Sequence, residues 1–357
     1  MGTVARLAQR PGWIPVRARL GRPARRRLTR QAEGSAGLTV TAAAVPAGVV
    51  EVAAAVIVRA DGAFLLARRP SGKVYAGYWE FPGGKIEPDE PAERALAREL
   101  NEELGIDVRR AYPWITRVYA YPHATVRLNF FRVLEWAGDP HPHEDQQLVW
   151  QRMDAPLPEP MLPANAPVLA SLALPHEYAI TAAETYGIEP MLGRLAQRLE
   201  AGLRLVQVRE KVMAPEVRAA FARRVVELAH CSDAKVLIHA DCALARSLGA
   251  DGVHYSARDL ARLAQRPHGL LAAASCHTVA ELALAVHLGL DFAVLGTVKD
   301  TASHPGAVPL GWAGFARVAR GAAIPVYAIG GLRAADLDQA WRAGAHGLAM
   351  ISGAWSA

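Results

Sequence analysis

The sequence predicts an α/β protein in two regions: strands around one acidic helix over 45–172, then a compact parallel (β/α)8 barrel over 176–357. Three observations predict it. A length of 357 residues with 52% hydrophobic content suits two domains with sizeable cores. Beyond Pro175, eight apolar segments (YAIT, LRLVQVRE, KVLIHA, GVHYS, LAAAS, DFAVLG, PVYAIG, GLAMIS) alternate with helical stretches. Continuous apolar strands of that kind belong to a parallel sheet covered by helices, and eight of them close a barrel. At 182 residues it is small for its class. Near the end of the first region runs a Pro-rich stretch, DAPLPEPMLPANAPV, over 154–168.

Residues 1–38 carry nine arginines and one acid, Glu33. That is +8 against a net +6 for the chain, so the remainder is about −2 and the folded part is not basic. The segment has no apolar core for a secretory signal. Its Arg-rich, acid-poor composition fits a transit peptide or a nucleic-acid arm, and above all a disordered basic tail over 1–44. No apolar run is long enough to span a membrane. Cys231, Cys242 and Cys276 are scattered without metal spacing, as expected of reduced thiols in a cytoplasm.

In the first region, 51–58 and 63–67 read as strands joined by an Asp61-Gly62 turn. WEF (79–81) reads as a further strand, and 91–104 as a helix with Pro91 in its first turn. Strands follow over 114–120 and 125–136, and a short helix follows the Pro-rich stretch. Seven acids lie between Gly83 and Ile106, with Asp107 just beyond. Like charges at helical spacing cost stability unless something neutralises them. Glu99, Glu102 and Glu103 share one helix face, and three converging carboxylates make a hard-oxygen site for Mg²⁺, with Mn²⁺ as a substitute. Arg98 is placed to pair with Glu90 and brace the preceding loop. Gly83 and Gly84 permit a sharp turn, and Gly105 ends the helix.

These residues also spell a known pattern. Gly84, five residues, Glu90, seven residues, Arg98-Glu99-Leu100, one residue, Glu102-Glu103, one residue, Gly105-Ile106 is a complete match to the Nudix box. The resemblance implies a Nudix α/β/α fold and hydrolysis of a nucleoside diphosphate linked to a group X. It implies that Glu99, Glu102, Glu103 and the Gly83 carbonyl hold the metal, with Arg98 supporting them. Glu102 or Glu103 would take the proton from the attacking water. Glu144, in PHPHEDQQ, is a further candidate ligand or base, or a surface loop acid.

WEFPGGKIE (79–87) resembles the MutT branch, which hydrolyses 8-oxo-dGTP to the monophosphate and pyrophosphate. The branch is tied to DNA replication, DNA repair and mutation avoidance. LPANAPVLASL (162–172) resembles its C-terminal signature, so Asn165 would read a purine edge, or else cap a helix. Arg69 matches a substrate-phosphate arginine. Gly83, Gly84 and Lys85 would line the phosphates. A second family arginine is replaced by Ala124.

In the second region, LVQVREK, GADGVHYSARDL, SCHT, LGTV, PLGW and AIGG resemble the thiamine phosphate synthase/TenI family. The resemblance implies a pyrophosphate held by Arg209 and Lys211, phosphate loops at Gly330, Gly331, Ser352 and Gly353, and a substrate contact at Ser275. His277 matches the family's catalytic His, and a hydrogen-bonded packing role is its alternative. Asp259 matches one Mg²⁺ carboxylate. His239 and Ala240 replace an Asn-Asp pair, and Ser303 and His304 stand where a phosphate-binding Lys is usual. The barrel is therefore expected to be a synthase, a metal-free thiazole tautomerase, or a silent binder of thiazole or thiamine phosphates.

The chain is thus expected to act on a small nucleoside triphosphate, with no membrane and no nucleic-acid partner. A Nudix site serving a thiamine-pathway pyrophosphate is the alternative, and a DNA-binding role for the tail would need salt-dependent DNA affinity.

Overall fold

The computed structural model describes residues 48–301, 306 and 308–356. The expected basic tail over 1–44 lies outside the described residues, as do Ser303 and His304.

The first region runs β1 (Val49–Ile57), β2 (Phe64–Arg68), β3 (Trp79–Glu80), β4 (Gly83–Lys85), α1 (Ala92–Leu104), β5 (Asp107–Ala120), β6 (Thr125–Ala137), β7 (Gln147–Gln151) and α2 (Ala166–Leu172). A four-stranded mixed sheet has the order β4-β1-β6-β5, with β1 and β6 parallel, and an antiparallel sheet has the order β3-β2-β7. Strand β1 shows why the layers form. Its Ala53, Ala55 and Ile57 face Ala95, Leu96, Leu100 and Leu104 of α1. Its Ala54 and Val56 point the other way, to Phe81, Phe130 and the Val168 and Leu169 of α2. Both faces of the strand are therefore buried, with one helix on each side. Each of the three α1 leucines, fully buried, contributes about 2 kcal/mol.

Several element boundaries differ from the sequence reading, two of them for a backbone reason. Pro91 has an extended ψ of 136° and precedes the helix, which starts at Ala92. Strand β5 begins at Asp107 rather than at 114, and register shifts between Val108 and Arg110, Arg110 and Ala111, and Pro113 and Thr116 break the alternation that would have revealed it.

The second region is a closed barrel of eight parallel strands. They are β8 (Glu177–Ile180), β9 (Leu205–Val208), β10 (Lys235–His239), β11 (Gly252–Tyr255), β12 (Leu271–Cys276), β13 (Phe292–Gly296), β14 (Val326–Ile329) and β15 (Gly347–Met350). Tyr178, Phe292 and Tyr327 fill the interior with Leu205, Leu237 and Val294. Tyr178 and Phe292 meet edge to face at 5.2 Å.

The β5–β6 pair packs on the N-terminal end of the barrel. Thr116 N–H donates to Ala322 O at 2.9 Å, and Arg117 Nη1 donates to Ala323 O at 2.8 Å. Tyr112 Oη donates to Asp338 Oδ1 at 2.5 Å. At the centre the fully buried Arg132 donates from Nη1 to His346 O at 2.9 Å, with Nη2 3.1 Å from His346 Nδ1. Its guanidinium lies over the Trp114 ring, 4.6 Å from the centroid. Burial without a carboxylate pushes this guanidinium down to about 9. The barrel's C-terminal ends, where such folds carry chemistry, point away from this contact.

Candidate active sites

The first site is built by α1 and the loop before it. Gly83 has φ +140° and lies so close to β1 that a Cβ would come within 2.1 Å of Ala53 O. A Cβ on Gly84 would come within 2.0 Å of Glu99 Oε2, so Gly84 is the space in which that carboxylate sits. Lys85 is exposed, and its carbonyl accepts from Arg98 Nη2 at 3.1 Å. Arg98 joins loop and helix: Nε and Nη2 reach Glu90 at 3.1 and 2.9 Å, and Nη1 reaches Glu99 at 2.9 Å and Glu102 at 3.3 Å. Gly105 takes φ +66° and donates to Asn101 O, closing the helix.

The acids differ in environment. Glu99 is 16% exposed and Glu102 59%. Glu103 is partly buried, and burial, opposed by Lys73 and reinforced by Glu144, Glu80 and Glu99, pushes its carboxyl up to about 7. Glu144 pairs with Lys73. The expected convergence of three carboxylates on one point is absent. Among the described residues no three His, Cys, Asp or Glu groups close on a common centre. Glu99 and Glu102 both rest on Arg98 Nη1. The donor set is nevertheless all carboxylate oxygen, which suits a hard divalent cation.

Gly84→Ala tests this packing. The new methyl would meet the mobile end of a side chain, so stability is expected to hold while turnover falls more than about tenfold through displacement of Glu99. Initial rates together with Tm measure both.

Arg69 is not free: Nη1 donates to both Glu80 oxygens at 2.6 and 2.8 Å, and Nε donates to Val74 O at 2.8 Å. Asn165 is 4% exposed and stands before α2 without capping it, its amide only 3.7 Å from Met161 Sδ. The helix-cap alternative for Asn165 is thereby removed. Its neighbourhood belongs to β3, since Leu162 N–H donates to Trp79 O.

The second site is a cavity of about 160 Å³ at the C-terminal ends of the barrel strands. Arg209, Lys211, His239, Ser275, His277, Gly330, Gly331, Ser352 and Gly353 all line it. Arg209 depresses the ammonium of Lys211 with help from partial burial, opposed by Glu184. A Cβ on Gly331 would meet Asp300 O at 2.3 Å, and one on Gly353 would meet Leu332 O at 2.2 Å. Both loops therefore require glycine to bring their backbone this close. His277 Nδ1 lies 2.9 Å from Gly296 O, and because a carbonyl only accepts, Nδ1 carries the proton and Nε2 is left as the basic nitrogen. His239 accepts at Nδ1 from Gln207 Nε2 at 3.2 Å, and burial beside Arg209 and Lys211 pushes it down to about 4. Lys299, close in sequence to the missing phosphate lysine, pairs with Asp336 at 2.7 Å. Asp259 accepts from Ser256 Oγ at 2.6 Å.

Sequence reasoning passed over His254. It is fully buried, 3.1 Å from Tyr178 Oη and 2.9 Å from Ser275 Oγ, and so links the barrel core to the cavity. A histidine inside the apolar strand GVHYS was the available signal.

Known proteins resemble the two regions separately. The NUDIX domain model matches residues 53–171 and the thiamine monophosphate synthase model matches 177–354. A CTP pyrophosphohydrolase of Escherichia coli (strain K12) is 42% identical over 120 residues, 34% of this chain and 88% of that protein. An 8-oxo-dGTP diphosphatase of Proteus vulgaris is 42% identical over 88 residues, 25% of this chain and 79% of that protein. A thiamine-phosphate synthase of Thioalkalivibrio sulfidiphilus (strain HL-EbGR7) is 31% identical over 183 residues, 50% of this chain and 87% of that protein. With an Arg98-braced acidic helix in one region and a cavity at the barrel mouth in the other, this chain belongs to the Nudix hydrolases through its first region and to the thiamine monophosphate synthase family through its second.

Proposed function

We propose that the first region is a Mg²⁺-dependent hydrolase of 8-oxo-dGTP, releasing 8-oxo-dGMP and pyrophosphate and so cleansing the nucleotide pool ahead of DNA replication. We infer a cytoplasmic location from that role. The observation that carries this reading is Asn165, a nearly buried amide left uncommitted by the helix it precedes. A buried amide offers both donors and an acceptor to a base edge, here with one donor resting on the weak acceptor Met161 Sδ, and it penalises an edge with the wrong pattern by leaving groups unpaired. Glu99, Glu102 and Glu103, with Glu144 and the Gly83 carbonyl as further candidates, would hold Mg²⁺, which would supply charge neutralisation to the phosphates. Arg98 keeps the helix and the Gly83–Lys85 turn in register, and Glu102 or Glu103 receives the proton of the attacking water.

The test is initial rates with Mg²⁺ on 8-oxo-dGTP, dGTP, CTP and thiamine pyrophosphate. The expected order places 8-oxo-dGTP first. In Asn165→Ala the preference for 8-oxo-dGTP over dGTP is expected to fall about tenfold or more. Preference for CTP, the substrate named for one relative, or for thiamine pyrophosphate would overturn the assignment.

For the barrel we infer binding of a thiazole or thiamine phosphate, with Arg209, Lys211 and the Gly330–Gly331 loop on the phosphate. His239 and Ala240 stand where a synthase carries its Asn-Asp pair, and Lys299 is held by Asp336. Both favour proton transfer at His277 Nε2 over displacement of pyrophosphate. Tautomerisation of a thiazole phosphate with no metal added, lost in His277→Gln, is the outcome this reading requires.

A further inference from the structure

Two imidazoles outside both sites face each other. His141 and His143 lie on the loop that leads to Glu144, with Nε2 atoms 2.7 Å apart and ring planes at 71°. Their other nitrogens are committed. His141 Nδ1 is 2.8 Å from Asp139 O and His143 Nδ1 is 2.9 Å from Glu102 O. Carbonyl oxygens only accept, so each Nδ1 bears the ring proton and, in the neutral rings, both Nε2 atoms present lone pairs to one another. Two lone pairs at that distance repel unless an electrophile lies between them.

The surroundings favour a cation there. His141 N–H donates to Leu104 O at 3.1 Å and His143 N–H to Glu103 O at 3.0 Å. Together with the His143 ring, the loop therefore takes up three of the last carbonyls of α1, at the negative end of the helix dipole. Gly105 makes the approach possible, because a Cβ there would sit 2.6 Å from His141 Cε1. Both rings are exposed, so an ion reaches them from solvent.

We propose that His141 and His143 form a two-imidazole site for a divalent transition-metal ion of the Zn²⁺, Cu²⁺ or Ni²⁺ class, separate from the carboxylates of α1. An imidazole pair selects these ions over Mg²⁺. A ring N–H donated to a backbone carbonyl is the usual second contact of a metal-ligating histidine and fixes the required tautomer. Bonds of about 2.0–2.1 Å at a tetrahedral angle need the two nitrogens about 3.3 Å apart, which a small rotation of the rings supplies. No third His, Cys, Asp or Glu completes a cluster among the described residues, so water fills the remaining positions. A bound ion would pin the segment carrying Glu144 to the end of the helix carrying Glu103.

The experiment is Zn²⁺ titration of the full chain by calorimetry in excess Mg²⁺, with Cu²⁺ electron paramagnetic resonance on the same protein. Wild type is expected to take up one Zn²⁺ that His141→Ala and His143→Gln each weaken more than about tenfold, with unchanged Tm in metal-free buffer. Glu102→Gln is expected to retain it. The Cu²⁺ spectrum is expected to show coupling to two nitrogens. Equal Zn²⁺ uptake in the histidine variants would place the ion elsewhere, for example at exposed Cys231, and overturn the proposal. Absence of Zn²⁺ uptake would leave a shared proton between the rings as the electrophile and overturn it equally.

Discussion

Glu102→Gln is expected to cut turnover of a nucleoside triphosphate on the order of 10³-fold while leaving the fold intact. The two halves of that expectation have different origins. Glu102 is 59% exposed, and its one ion pair among the described residues is a 3.3 Å contact to Arg98, which keeps Glu90 and Glu99 when Glu102 is neutralised. An exposed pair of this kind contributes less than about 1 kcal/mol to stability, so Tm is expected to move by only a few degrees. The chemistry is another matter. Gln keeps the shape of Glu but carries no charge to hold a divalent cation and cannot accept a proton from water. Rates fitted over a range of Mg²⁺ concentrations separate the two roles. A rise in the Mg²⁺ requirement with modest loss at saturation marks a ligand, and a loss that no Mg²⁺ concentration repairs marks the base. Near-wild-type turnover would remove Glu102 from the site.

Glu103→Gln offers the contrast. Its carboxyl is more enclosed and is held high by burial and by its acidic neighbours, so neutralising it relieves repulsion as well as removing a ligand. Loss of activity without loss of stability in both variants would locate the function in the acidic face rather than in the helix as a structural element.

What was legible in the sequence follows from the range over which each feature is encoded. The barrel strands were readable because both faces of each are buried, which yields short continuous apolar runs such as AAAS in β12 and AVLG in β13. The acidic helix was readable because its residues lie within one element and its closing Gly105 adopts φ +66° as a helix stop should. Strand β7 was missed, since QLVWQ is short, half polar and at a sheet edge. The start of β5 was missed because register shifts spoil its alternation. Side-chain direction was not legible either: spacing put Glu99, Glu102 and Glu103 on one face, but only packing shows two of them resting on Arg98. The contact between the regions was beyond reach. Arg132 and His346 are 214 residues apart, and neither sits in a pattern that announces the other.

That contact, together with His254, makes stability depend steeply on pH. His346 is fully buried; its Nε2–H donates to Leu174 O at 3.0 Å, while Nδ1 accepts from Trp114 Nε1 at 3.2 Å and faces Arg132 Nη2. Protonating Nδ1 would cost both acceptor contacts and set a second cation against Arg132. Burial first, then Arg132, therefore holds His346 well below the ordinary histidine range. Burial likewise holds His254 far down, with His239 and Arg209 adding to it. In the unfolded chain both histidines take up protons below about pH 6.5 while the folded protein does not. Their contribution is thus fully present above about pH 6.5 and is lost as pH falls below it, at about 1.4 kcal/mol per pH unit for each group. Both losses fall on the acid side of about pH 6.5, so they act in the same direction. Urea titrations followed by tryptophan fluorescence at pH 7.5, 6 and 5 are expected to show midpoints that drop sharply between the last two. His346→Gln supplies the control, because an amide can accept from Trp114 and donate to Leu174 but does not titrate. It is expected to be less stable than wild type at pH 7.5 and to lose stability with acid more gently, by about one proton's worth of slope. An unchanged slope in that variant would show that His346 is not the group whose protonation opens the contact between the hydrolase and the barrel.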